Sequence, residues 1–175
     1  MPRRRTTRRL LKRLEGCSRI AVLGIGSELR GDDAAGILLV SELGLMVRRQ
    51  PFSHLRFEGF EGGSAPENAT GFIKSFKPSH IIVVDAADIS LASGEYREID
   101  PEDICDIPFS THTLPMKIIT EYLKQATGAI ISIIGIQPGN LDFGKPPTEA
   151  LKMGVGRMSQ QLYEIMRECD QRLGV

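Results

Sequence analysis

Three short aliphatic runs decide what this chain can fold into. They are "RIAVLG" at 19–24, "HIIVVDA" at 80–86 and "AIISIIGIQ" at 129–137. Each is rich in Ile and Val, bounded by polar or glycine residues, and shorter than a core helix. Runs of this kind read as strands buried on both faces. The stretches between them carry a helical period. Ala34–Val47 places Ile37, Leu38, Val40, Leu43 and Met46 on mainly one side. Glu67–Phe76 follows Pro66, and Leu114–Ala126 has Thr113 as a cap and Pro115 in its first turn. Thr148–Arg172 is a long helix. A weaker strand is expected at Leu55–Phe60. "GEYREID" at 94–100 alternates between Gly94 and Pro101 and reads as an edge strand. Buried strands separated by helices imply an α/β protein. The expectation is a three-layer α/β/α sandwich with a twisted, mostly parallel sheet and one antiparallel edge strand.

The length, 175 residues, suits one domain. We divide it into a basic N-terminal arm, 1–16, and a single α/β domain, 17–175. Residues 1–13 hold seven of the 22 basic residues and no acid. The rest therefore carries 15 basic against 22 acidic residues, a net of −7. An acidic body without a basic stripe argues against nucleic-acid binding. The arm could touch RNA, a membrane surface or an acidic partner, and the plainer expectation is a solvated, mobile tail. No apolar run reaches the roughly 20 residues of a membrane helix, so membrane insertion is not expected. No secretory apolar stretch follows the basic start, so a cytoplasmic location is expected. Cys17, Cys105 and Cys169 are odd in number and widely spaced, which reads as three free thiols. A monomer is expected.

Sites in such folds lie beyond the carboxyl ends of the strands. The first strand runs into "GIGSELRGDD", with Gly24, Gly26, Asp32 and Asp33. A dinucleotide fingerprint would need a third glycine where Leu29 stands. Two carboxylates at a helix start would also repel the pyrophosphate the motif exists to hold. The bland reading of the pair is helix capping, but one Asp suffices for a cap. Asp85 closes the apolar "IIVVDA", as either a loop tether or part of a site. His112 lies in the polar turn "STHT" before a helix, whereas His54 and His80 sit at strand starts and read as structural. Asp33, Asp85 and His112 together form a set suited to a borderline divalent metal, or a general acid/base set. In "EGGSAPEN", Gly62 and Gly63 read as a tight connection with positive φ, or as backbone that approaches an extended ligand beside Ser64. Ser64 lacks the Gly-Xaa-Ser-Xaa-Gly context of a hydrolase nucleophile. The aspartates lack the Asp-Thr-Gly pattern of two-aspartate proteases.

"LGIGSELRGDDAAG", "EGGSAPEN", "IIVVDAADISLASGEYREIDPEDI", "STHTLP" and "IIGIQP" occur in this order and spacing. Together they resemble the [NiFe]-hydrogenase maturation proteases, in the branch that serves hydrogenase 3 of formate hydrogenlyase. The resemblance covers about residues 19–170. It implies a twisted sheet between helices and an endopeptidase that removes a C-terminal extension from the hydrogenase large-subunit precursor after nickel insertion. It also implies that Asp33, Asp85 and His112 contact the nickel of that precursor, so the Ni2+ comes with the substrate. In isolation another divalent metal could take the same set. Asp32 is then left as the cap, and the loop at Gly62, Gly63 and Ser64 borders the tail. The family turn reads Gly-Xaa-Gly-Asn, and Ser27 stands here in place of Asn. The alternative activity is a non-catalytic, nickel-sensing partner of the same large subunit.

Overall fold

A computed structural model describes residues 2–109 and 115–175, with side chains from Thr6 onward. Five strands form one sheet: β1 (Arg19–Ile25), β2 (Arg56–Gly63), β3 (His80–Ala86), β4 (Tyr96–Ile99) and β5 (Ile130–Ile136). Their spatial order is β2-β1-β3-β5-β4. β1 pairs parallel with β2 and β3, β3 pairs parallel with β5, and only β4 runs antiparallel, on β5. The helices are α1 (Pro2–Leu14), α2 (Ala35–Arg49), α3 (Thr70–Phe76), α4 (Met116–Thr127) and α5 (Glu149–Leu173).

Strand periodicity builds the two cores. Ile20, Val22, Ile82, Val84, Ile134 and Ile136 face α1, α2 and α5, where Leu39, Leu43, Met158 and Leu162 cover them. Their neighbours Ala21, Leu23, Ile81, Val83 and Ile133 face α3 and α4, where Ile73, Ile119 and Leu123 complete a second cluster. A strand that is apolar at every position therefore has a layer of helices on each side. The three-layer sandwich and its antiparallel edge are as the sequence implies.

Two expectations about element ends change. The stretch after Pro66 starts as a 3-10 turn (Pro66–Ala69) before α3, so the helix proper is short. Pro115, not Thr113, is the N-cap residue of α4, and Thr113 lies outside the described residues.

The basic arm differs more. Residues 2–14 form α1, whose Leu10 and Leu14 are fully buried against the α5 side of the core. Glu98 on β4 is buried, and Arg9 Nε and Arg13 Nε lie 3.0 and 3.3 Å from its carboxylate. Arg9 also pairs with Asp100. Thr6 Oγ1 accepts the Glu98 backbone N–H at 3.2 Å. The charge that suggested a solvated tail is in part taken up by Glu98 of β4 and by Asp100 just after it. The apolar residues at every third or fourth place in "LLKRL" supply the packing face.

Candidate functional site

The order β2-β1-β3 means the chain leaves β1 for one neighbour and returns on the other. The switch point of the sheet lies between the carboxyl ends of β1 and β3. Gly24 pairs with Val84, which sets Ile25 beside Asp85 at this crevice. The start of α2 is wedged into it. A Cβ on Gly36 would stand 2.4 Å from both the Ile25 and Val84 carbonyl oxygens. Only glycine allows the helix so close to both strands.

Between β1 and α2 the chain makes a tight turn. Gly26 has φ +135°, and a Cβ there would stand 1.7 Å from the Asp33 carbonyl oxygen. Gly26 N–H donates to the Gly63 carbonyl at 3.0 Å, and Ser27 N–H donates to the Asp33 carbonyl at 3.2 Å. Ser27 Oγ accepts from Leu29 N–H at 3.3 Å, so serine does bond within the loop. A 3-10 turn (Gly31–Ala34) then carries both aspartates, and it packs against β3.

The two carboxylates have different surroundings. Asp32 is fully buried, but it caps neither the 3-10 turn nor α2; neither N-terminus has a side-chain cap bond. The expected capping role is therefore replaced. Asp32 reaches across to the loop between β5 and α5. Its Oδ2 accepts from Gly139 N–H (2.6 Å), Asn140 N–H (3.1 Å) and Thr148 Oγ1 (2.9 Å), and its Oδ1 accepts from Thr148 N–H (2.6 Å). Fixed donors from a distant loop satisfy the charge better than the local cap would. Asp33 is 2% exposed, and its Oδ1 is buried with no hydrogen-bond partner among the described residues. A buried carboxylate oxygen without a donor is costly and asks for a cation or proton from outside.

Asp85 is fully buried at the end of β3, opposite Gly135 of β5. The chain beyond it is held in place. Ala87 is bridged to Phe109, and Asp88 N–H donates to the Pro108 carbonyl at 2.9 Å. Gln137 Oε1 accepts from Ile89 N–H (2.8 Å) and Leu91 N–H (3.2 Å), which fixes the 88–93 loop. His112 lies outside the described residues. Among the described residues no three of His, Cys, Asp and Glu gather as metal ligands.

On the far side of β1, β2 continues through Gly63. Gly63 has φ +58°, as expected, with open space where a Cβ would lie. Gly62 does not share the positive φ; its need for glycine is contact, since a Cβ would meet Leu23 Cδ1 at 2.9 Å and Pro66 Cβ at 3.0 Å. Ser64 is exposed at the rim. His80 is buried with Nε2 3.0 Å from Ser132 Oγ, at the opposite end of the sheet from Asp85. Burial holds its pKa down to about 4, the Arg13 charge adding to this against a backbone hydrogen bond at Arg13. Cys17, Cys105 and Cys169 are free.

Asp32's partners Gly139, Asn140 and Thr148 are the site-supporting residues that sequence reasoning missed. Their one sequence signal is the "PGN" turn that follows the third aliphatic run.

The model of the HycI hydrogenase maturation protease family matches residues 39–165. A relative from Methanocaldococcus jannaschii, provisionally named a hydrogenase maturation protease, is 37% identical over 161 residues, spanning 91% of this chain and 95% of its own. The hydrogenase 3 maturation protease of Escherichia coli K12 is 34% identical over 142 residues, spanning 81% of this chain and 86% of its own. The crystal structure of the [NiFe] hydrogenase maturation protease HycI from Thermococcus kodakarensis superposes with a TM-score of 0.74 at 34% identity, covering 90% of this chain and 98% of that one.

Fold and site together define an α/β protein that offers carboxylates, not an anion cradle, at its switch point. The chain belongs to the hydrogenase maturation protease family. It is therefore a hydrolase of peptide bonds.

Proposed function

We propose that this protease removes the C-terminal extension of a [NiFe]-hydrogenase large-subunit precursor, and that it recognises the nickel already inserted there. The observation that carries the reading is Asp33, whose Oδ1 is buried at the switch point without a partner among the described residues. Asp85, next to last in the neighbouring strand, supplies a second carboxylate. His112 is assigned as the third contact. Support for it comes from its neighbour in the chain: Phe109, three residues earlier, is bridged to Ala87, two residues past Asp85.

The substrate's nickel docks against these groups, which fixes the scissile bond beside them, with the tail passing Gly62, Gly63 and Ser64. Held in that geometry, a water attacks the scissile carbonyl carbon. One carboxylate of the pair takes a proton from the water, the C–N bond breaks, and the proton passes to the leaving amine. Nickel polarises the carbonyl or the water during this step. The protein acts in this reading as a monomer in the cytoplasm, where Cys17, Cys105 and Cys169 stay free.

The test incubates nickel-loaded precursor with Asp33→Asn, Asp85→Asn and His112→Ala, and follows cleavage on a gel. Each variant is expected to lose cleavage by at least 100-fold. Full cleavage by any one of them removes that residue from the site.

A further inference from the structure

The two edges of the sheet are treated differently. The β4 edge is covered by α1, and the outward N–H of Glu98 is taken by Thr6 Oγ1. At the opposite edge, no described residue pairs with the outer side of β2. Arg56 N–H donates to the Ser18 carbonyl, so Arg56, Glu58 and Phe60 turn their backbone groups toward β1. Alternation then turns the N–H and C=O of Phe57, Gly59 and Glu61 outward. Such a row is a template for another strand.

Beside this row lies a cavity of about 560 Å³, between β2 and the outer face of α2, where Val40, Val47 and Phe57 stand beside the polar Ser41, Arg48 and Glu61. Gly44 lies inside α2, where glycine weakens a helix. Packing does not demand it: a Cβ at Gly44 would meet only Arg48 Nη1, at 3.9 Å. The missing side chain leaves the cavity open. The edge also runs directly into the site, because β2 ends at Gly63, whose carbonyl bonds Gly26 at the turn that carries Asp33.

We propose that the outer edge of β2 is a docking rail on which the substrate's C-terminal extension adds as a strand. This rests on the reading that the protein trims a nickel-bearing large subunit. With the nickel at the switch point, residues after the scissile bond run away from it. The tail therefore lies antiparallel to β2, over roughly five residues from Glu61 back to Phe57. One apolar tail side chain enters the cavity between Val40 and Val47. A basic tail residue meets Glu61, which is exposed and on the same face as the cavity. Backbone pairing gives affinity, and the cavity and this carboxylate select the tail.

The probe is a fluorescently labelled synthetic peptide of the precursor's extension, titrated with wild type, Gly44→Leu, Glu61→Pro and Asp33→Asn. Gly44→Leu fills the cavity, and Glu61→Pro deletes an outward N–H without touching the β1 pairing. Wild type and Asp33→Asn should bind the peptide within twofold of each other, and the two rail variants at least 10-fold more weakly. Both rail variants should still cut, at the wild-type rate, a nickel-loaded precursor whose extension is shortened to two residues. Wild-type affinity in both variants, no binding by wild type, or an equal loss on the shortened precursor would each overturn the rail. Failure of wild type to cut any precursor would instead refute the proposed function, and peptide binding would still report on the rail.

Discussion

Asp32→Asn is the substitution whose effect can best be worked out from geometry. The carboxylate accepts four hydrogen bonds, three at Oδ2 and one at Oδ1, all from residues 139–148. An amide can put its oxygen at only one of these places. With the oxygen at Oδ2, the NH2 group faces Thr148 N–H, donor against donor, and that bond is lost. The other three change from a charged to a neutral acceptor, at a cost of up to about 1 kcal/mol each. Relaxation and water at the part-buried loop recover some of this. The expected loss is about 3 kcal/mol, a large share of the roughly 5–15 kcal/mol that holds a domain together. For a chain of this size it lowers Tm by about 6 °C or more. Urea titration is the assay, with an unchanged slope confirming that the same surface unfolds. Amide exchange at Gly139, Asn140 and Thr148 should quicken in step. A loss below about 0.5 kcal/mol would refute the claim that Asp32 holds the two loops together.

Two further predictions follow from the same structure. Leu14→Ala should cost about 2–5 kcal/mol, because Leu14 is the last residue of α1 and is fully buried in the core; a change near zero in urea would mean that the arm is free in solution. His80 is held neutral by burial, with a folded pKa of about 4 against an ordinary 6.5. The unfolded chain therefore binds the extra proton between these values, and stability falls as pH drops from 6.5 toward 4. From pH 7 to 4.5 this group should remove about 2–3 kcal/mol. His80→Asn should flatten that part of the profile, and a profile parallel to wild type would contradict it.

The sheet was legible because its signal is strong. "IIVVDA" is apolar except at Asp85, "IISIIGI" is apolar except at Ser132 and Gly135, and short runs of this kind suit a strand between two layers. The carboxylates were legible as a pair but not in their roles. Capping is the local option for Asp32, and sequence shows local options. The competing donors at Gly139, Asn140 and Thr148 are over 100 residues away in sequence and adjacent only in the fold. Long-range pairing also hid the arm. Arg9 and Arg13 look like solvated charge until β4 brings Glu98 beside them. Gly62 and Gly63 look alike in sequence, but one is glycine for contact and the other for its φ. The free edge of β2 was invisible for a related reason: which strand ends a sheet is a property of topology, and nothing in "RFEGFEGG" states it.

The central claim is that the protein cuts a nickel-bearing large subunit with Asp33 at the switch point. The direct measurement is the intact mass of the large-subunit precursor, nickel-loaded and nickel-free, after incubation with wild type and with Asp33→Asn. The account predicts loss of one C-terminal fragment from nickel-loaded precursor with wild type alone. An unchanged mass with wild type, or the same fragment released by Asp33→Asn, would contradict it.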